Sequence, residues 1–131
     1  MDIFNRYILK LRVNGLHNCG LYGNILLHEL FVRHDGATDS KLVQGYITVG
    51  FETCWHVWVE MGGTTKYDVI SNLSDTEFTY LYDRPASGAE EDDEVTEEFK
   101  LYKSNKVEFW TKPSTPQRVK NFRAKIMRGI F

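Results

Sequence analysis

Apolar residues recur along the first third of the chain at the three- and four-residue spacing of a helix with one buried face. Ile3, Phe4, Tyr7, Ile8 and Leu11 lay out an amphipathic helix over Ile3–Val13, and Asn14-Gly15 ends it, glycine being able to take the left-handed cap. After a loop, Leu16-His17-Asn18, the same spacing returns in Tyr22, Ile25, Leu26, Leu30 and Phe31 and predicts a second, core-facing helix from Cys19. Asn18 is its expected N-cap, Arg33 and His34 fall in its last turn, where cations complement the dipole, and Gly36 is the stop. Gly23 in the first turn lowers helicity by about 1 kcal/mol relative to alanine, which predicts close packing against another backbone.

The period then shortens to two. Leu42–Val49 reads as a strand, and Trp55–Met61 and Lys66–Ile70 as two more, joined through the hairpin signal Gly62-Gly63. Glu77–Tyr82 is a further strand candidate. Residues 83–98 mix Pro, Ser, Gly and acid without periodicity and predict a solvated, flexible acidic loop. Phe99–Tyr102 and Val107–Thr111 read as short strands about a Ser104-Asn105 turn. An amphipathic basic helix over 115–131 follows, opened by Ser114-Thr115-Pro116 and lined on one face by Val119, Phe122, Ile126 and Ile130. Helices first and consecutive strands afterwards predict a single α+β domain over 1–131 with an antiparallel sheet.

Composition narrows the class. With 131 residues, 42% of them apolar, the chain can bury a core without covalent staples. The net charge of -2 conceals a division between the acids at 90–98 and a C-terminal segment, Lys112 to Arg128, without acid. Two cysteines, Cys19 and Cys54, exclude a disulfide framework and a CxxC site. Asp2, Arg6, Lys10 and Arg12 interrupt the N-terminal apolar residues, and no run reaches membrane-spanning length, so a soluble, cytoplasmic protein without a membrane partner is expected. The basic C-terminal helix lacks the aromatic-basic interleaving of a nucleic-acid platform, and its charges read as a solvated face.

Three residues carry candidate chemistry. Cys19 stands at a predicted helix start, where unpaired N–H groups and the dipole favour thiolate and can donate to an oxyanion. Alternation along the strand sends Trp55, Val57, Val59 and Met61 to one face and Cys54, His56, Trp58 and Glu60 to the other, a mixed polar and aromatic face suited to a cleft. Asp68, on the return strand between Tyr67 and Val69, is in place to orient the His56 ring.

Cysteine on a helix start, histidine on a strand and aspartate on the next strand, in that order, resemble the papain-like cysteine hydrolases. The resemblance is closer to their transglutaminase-like branch. It runs from Asn18 to about Asn72 and includes Val43-Gln44-Gly45-Tyr46-Ile47, His56-Val57-Trp58-Val59-Glu60 and Tyr67-Asp68-Val69. Gly20 after the cysteine and Val69-Ile70 after the aspartate depart from that family's habit. The resemblance implies a papain-like core with the nucleophile at a helix start packed on an antiparallel sheet. It implies Cys19 as nucleophile, His56 as general base and acid, Asp68 as orienting group, no cofactor or metal, and a protein or peptide substrate. The activity expected is that of a protease, amidase, deamidase or transglutaminase working through a thioester. Asn14, His17 and Asn18 are candidate oxyanion donors beside the Cys19 N–H, and Trp55 and Trp58 are candidates for the substrate cleft, Trp58 as an exposed aromatic. Two other readings use the same residues: a catalytically silent binding module of this fold, and a domain stabilised by zinc on His17, Cys19, Cys54 and His56.

Overall fold

The computed structural model describes residues 3–16, 20–49, 52–62, 65–70, 80–83 and 94–129, with side chains beyond the backbone for all of these except 3–4, 20, 48–49, 52–54, 80–83 and 94–96. Two helices, α1 (Ile3–Val13) and α2 (Gly20–Asp35), precede the strands β1 (Lys41–Val49), β2 (Glu52–Met61), β3 (Thr65–Tyr67) and β4 (Tyr80–Asp83). The helices α3 (Glu94–Ser104), α4 (Lys106–Thr111) and α5 (Gln117–Arg128) close the chain. The strands pair antiparallel in the order β3-β2-β1-β4, so the structure is mixed α+β, as the pattern predicts.

Helix α2 is the element around which the others gather. It packs on α1, β1, β2 and α5. Leu21, Ile25, Leu26, Leu27, Leu30 and Phe31 are all buried, more of the circumference than one amphipathic stripe would cover. The sheet meets it through Val57, Val59 and Tyr67, α1 through Ile8 and Leu11, and α5 through Val119, Phe122 and Ile126. Both N-terminal helices run into glycines of positive φ, Gly15 (73°) and Gly36 (61°), where a Cβ would be strained. Gly23 has a different reason to be glycine. A Cβ there would stand 2.7 Å from the Leu16 carbonyl oxygen and 2.8 Å from Val69 Cγ2, the close approach its place in a helix predicts.

The C-terminal third departs from the sequence pattern. The expected strands at 99–102 and 107–111 are the helices α3 and α4, and the expected acidic loop 83–98 gives up residue 83 to β4 and 94–98 to α3; residues 84–93 lie outside those described. Short windows of aromatic and branched residues resemble strands, but Phe99 and Tyr102 are spaced three apart and bury together on one helical face. Asn105 does not turn a hairpin. Its Oδ1 accepts the Glu108 N–H at 3.1 Å, the N-cap bond of a helix start, and its Nδ2 donates to Glu108 Oε2 at 3.3 Å. The last helix begins at Gln117, one residue after the Pro116 expected inside it, and is capped at Gly129; Ile130 and Phe131 lie outside the described residues.

Candidate active site

The hairpin that carries His56 and Asp68 is set by register. Met61 pairs with Thr65 and Val59 with Tyr67, and there β3 stops. The return strand expected to reach Ile70 ends three residues short because the next amides turn elsewhere. Ile70 N–H donates to Asp68 Oδ1 at 3.1 Å, an Asx turn, and Val69 N–H donates to Asn24 Oδ1 of α2 at 2.9 Å. Asp68 therefore sits just beyond the strand. Continuing the register one residue would set it opposite Trp58 and diagonal to His56, on the face those two share.

The result is a buried ion-pair geometry. His56 Nε2 lies 2.6 Å from Asp68 Oδ2, with Asp68 0% and His56 7% exposed. Asp68 Oδ1 also accepts from Asn24 Nδ2 at 3.0 Å. With donors converging on both carboxylate oxygens, the imidazole bond is best satisfied by an Nε2–H, which leaves Nδ1 as the basic nitrogen of the neutral ring.

Asn24 is the residue that sequence reasoning missed. Its amide donates to the Val57 carbonyl at 2.7 Å as well as to Asp68, and accepts from Val69 N–H. Those three partners assign its orientation: the flipped amide would set N–H against the Val69 N–H. One fully buried side chain thus ties α2 to β2 and to the turn bearing Asp68. The available signal was a lone polar residue among Leu21, Ile25, Leu26 and Leu27, which a buried helix tolerates only when it is hydrogen-bonded. Arg12 adds a second tie, its Nη1 donating to the Val69 carbonyl at 3.0 Å, and nothing in its sequence context marked it.

Cys19, His17 and Asn18 lie outside the described residues, as does the side chain of Cys54. Helix α2 begins at Gly20, the residue after Cys19. Gly20 precedes Asn24 by four residues, about 6 Å of helical rise, so α2 starts about one turn from the side chain that holds Asp68. Asn14 donates its amide to the Lys10 carbonyl at 2.8 Å at the end of α1, and it borders a hollow with Arg118 and Asn121 of α5.

The two tryptophans differ. Trp55 is half-buried and stacks on Tyr46, ring centroids 4.1 Å apart. Trp58, expected to be exposed, is 0% exposed, because both faces of β2 are covered. Its Nε1 donates to Glu60 Oε1 at 3.4 Å, and Lys66, the cross-strand partner of Glu60, brings Nζ within 3.9 Å of the same oxygen. The His56, Trp58 and Glu60 side chains thus form one buried row, with the His56 and Trp58 rings nearly parallel at 6.4 Å.

Among the described residues no group of three or more His, Cys, Asp or Glu side chains could hold a metal, and no helix is long and apolar enough to cross a membrane. No family model, curated protein or solved structure matches the chain.

Proposed function

We propose that this chain is a cysteine-dependent hydrolase or acyltransferase of the papain-like, transglutaminase-like kind, acting on peptide or amide bonds. The observation that supports the reading is the buried His56–Asp68 pair, held by Asn24 one turn inside the helix that follows Cys19. A carboxylate on Nε2 fixes the tautomer and stabilises the imidazolium, leaving Nδ1 to exchange a proton with a nucleophile.

In the proposed cycle Nδ1 of His56 takes the Cys19 thiol proton, and the thiolate adds to an amide carbonyl. The C–N bond breaks as the imidazolium returns that proton to the departing amine, which leaves a thioester on Cys19. Water or a second amine, deprotonated by Nδ1, then attacks the thioester. The C–S bond breaks, the acid or new amide leaves, and the thiol is regenerated. The first N–H groups of α2 suit the oxyanion, since a helix start presents unpaired donors.

Alkylation by iodoacetamide, mapped by peptide mass spectrometry on a Cys54→Ser background, tests this. At about pH 6.5 an ordinary thiol is only about 1% thiolate, so a histidine-paired Cys19 reacts at least about 10-fold faster than glutathione. His56→Ala brings the rate down to that of glutathione. A Cys19 that reacts no faster than glutathione, at a rate indifferent to His56, overturns the proposal and leaves a non-catalytic module of this fold.

A further inference from the structure

A second concave region lies away from the residues proposed for catalysis. A cavity of about 380 Å³ opens between the C-terminal half of α2, the α3–α4 junction and α5, lined by His28, Glu29, Arg33, Tyr102, Lys106 and Arg123. An adjoining hollow of about 350 Å³ shares His28, Tyr102 and Lys106 and adds Lys41 and Lys103. Neither includes His56 or Asp68, so binding in this region is independent of the proposed reaction.

The charges of the first cavity are unbalanced. Arg33, Lys106 and Arg123 bring three cations to it and Glu29 one carboxylate, an excess of two positive charges. Arg123 faces Glu29, and two of the three cations, Arg123 among them, are also seated on rings. Lys106 Nζ stands 4.7 Å over Tyr102, and the Arg123 guanidinium 4.6 Å over Trp110.

The floor is also incompletely satisfied. Glu29 is only 6% exposed, and its contacts are loose: Tyr102 OH reaches Oε1 at 3.5 Å, and Arg123 Nε faces Oε2 at 3.4 Å. That last approach lacks hydrogen-bond geometry, and among the described residues neither atom has another hydrogen-bond partner. Buried polar atoms ordinarily find partners, so the site holds one unmet acceptor, Glu29 Oε2, and one unmet donor, Arg123 Nε, beneath a cationic rim. Burial raises the Glu29 pKa, and the charges of Arg123 and Arg33, with the Tyr102 hydroxyl, oppose it.

A ligand that completes this arrangement carries a compact dianion for the rim and a hydrogen-bond donor for the floor. A phosphomonoester bears close to two negative charges at neutral pH, to be set against the three rim cations, and its oxygens suit arginine forks. The volume lies at the low end for ligand pockets, which selects a small molecule over a polymer. We propose that this cavity binds a small phosphomonoester bearing an amine or hydroxyl group, with its phosphate on Arg33, Lys106 and Arg123 and its donor on Glu29.

Isothermal titration calorimetry on the full chain at constant ionic strength tests the assignment with three probes: phosphoethanolamine, ethyl phosphate and sulfate. Phosphoethanolamine is expected to bind most tightly, and ethyl phosphate, lacking the donor, more weakly. Arg33→Ala and Lys106→Ala alter exposed side chains, and each is expected to weaken phosphoethanolamine about 10-fold while leaving the melting temperature of the free protein unchanged. Glu29→Gln is expected to erase the preference for phosphoethanolamine over ethyl phosphate. No binding of either phosphate overturns the proposal. So does sulfate binding as tightly as phosphoethanolamine, or an affinity unchanged by both rim substitutions in variants that retain the parent melting temperature.

Discussion

Truncating Asn24 to alanine tests the feature on which the site's geometry depends. The side chain makes three hydrogen bonds, to the Val57 carbonyl, the Asp68 carboxylate and the Val69 N–H, and it is fully buried. Alanine removes all three and supplies nothing to the partners. Each buried group left without its partner costs about 1–3 kcal/mol, while Asp68 Oδ1 keeps the Ile70 N–H and is only weakened. The sum is about 2–6 kcal/mol, a large part of the roughly 5–15 kcal/mol that holds a domain folded. Urea unfolding measures the loss. The site should change as well as the stability, because the Asp68 turn would then rest on Arg12 and its own Asx bond. In folded wild-type protein, ¹⁵N spectra of the imidazole should show the Nε2–H tautomer at His56; in Asn24→Ala, under conditions where it remains folded, the two tautomers should mix. An Asn24→Ala protein within about 0.5 kcal/mol of wild type, with the His56 tautomer undisturbed, would refute the reasoning that this amide is what holds the pair.

Two further substitutions probe the same helix. Gly23→Ala gains about 1 kcal/mol of intrinsic helix propensity but drives its Cβ to 2.7 Å from the Leu16 carbonyl, and overpacking of that kind costs about 1–3 kcal/mol. A lowered melting temperature is expected, and a raised one would show that α2 can move away from the Asp68 turn freely. His28 donates to or accepts from Ser40 Oγ at 2.8 Å, and burial first, then the Lys106 charge, lowers its pKa below 6.5. The unfolded chain therefore takes up the proton first as the pH drops. The His28 contribution is intact above 6.5 and is lost as the pH falls from there toward the lower folded value. His28→Gln should flatten the acid side of a stability-versus-pH curve measured by urea unfolding, and an unchanged slope would contradict the assignment.

The division between what was legible in the chain and what was not tracks the range of the interactions involved. Local rules set α1, the extent of α2 to within a residue at its start, β1 and the pairing of β2 with a return strand, because periodicity and glycine stops act over a few neighbouring residues. They also put His56 and Asp68 on one hairpin with compatible parity, the part of the site that short-range geometry controls. Short windows misled at 99–111, where the spacing of Phe99 and Tyr102 and the Asn105–Glu108 cap outweigh a strand-like composition.

Contact between distant segments was decided only by the tertiary structure. Whether Trp58 would be exposed depends on what covers the far face of β2, which alternation along one strand does not specify. Glu29 and Arg123, 94 positions apart, meet across a cavity that no motif announces. The sequence itself determined that a cysteine precedes an apolar helix and that a histidine and an aspartate share a hairpin. That Asp68 leaves the strand and closes to 2.6 Å on His56 is the work of Asn24, whose amide bonds across 33, 44 and 45 positions of chain. Folding alone brings those groups together, and their burial makes each of those bonds costly to leave unmade.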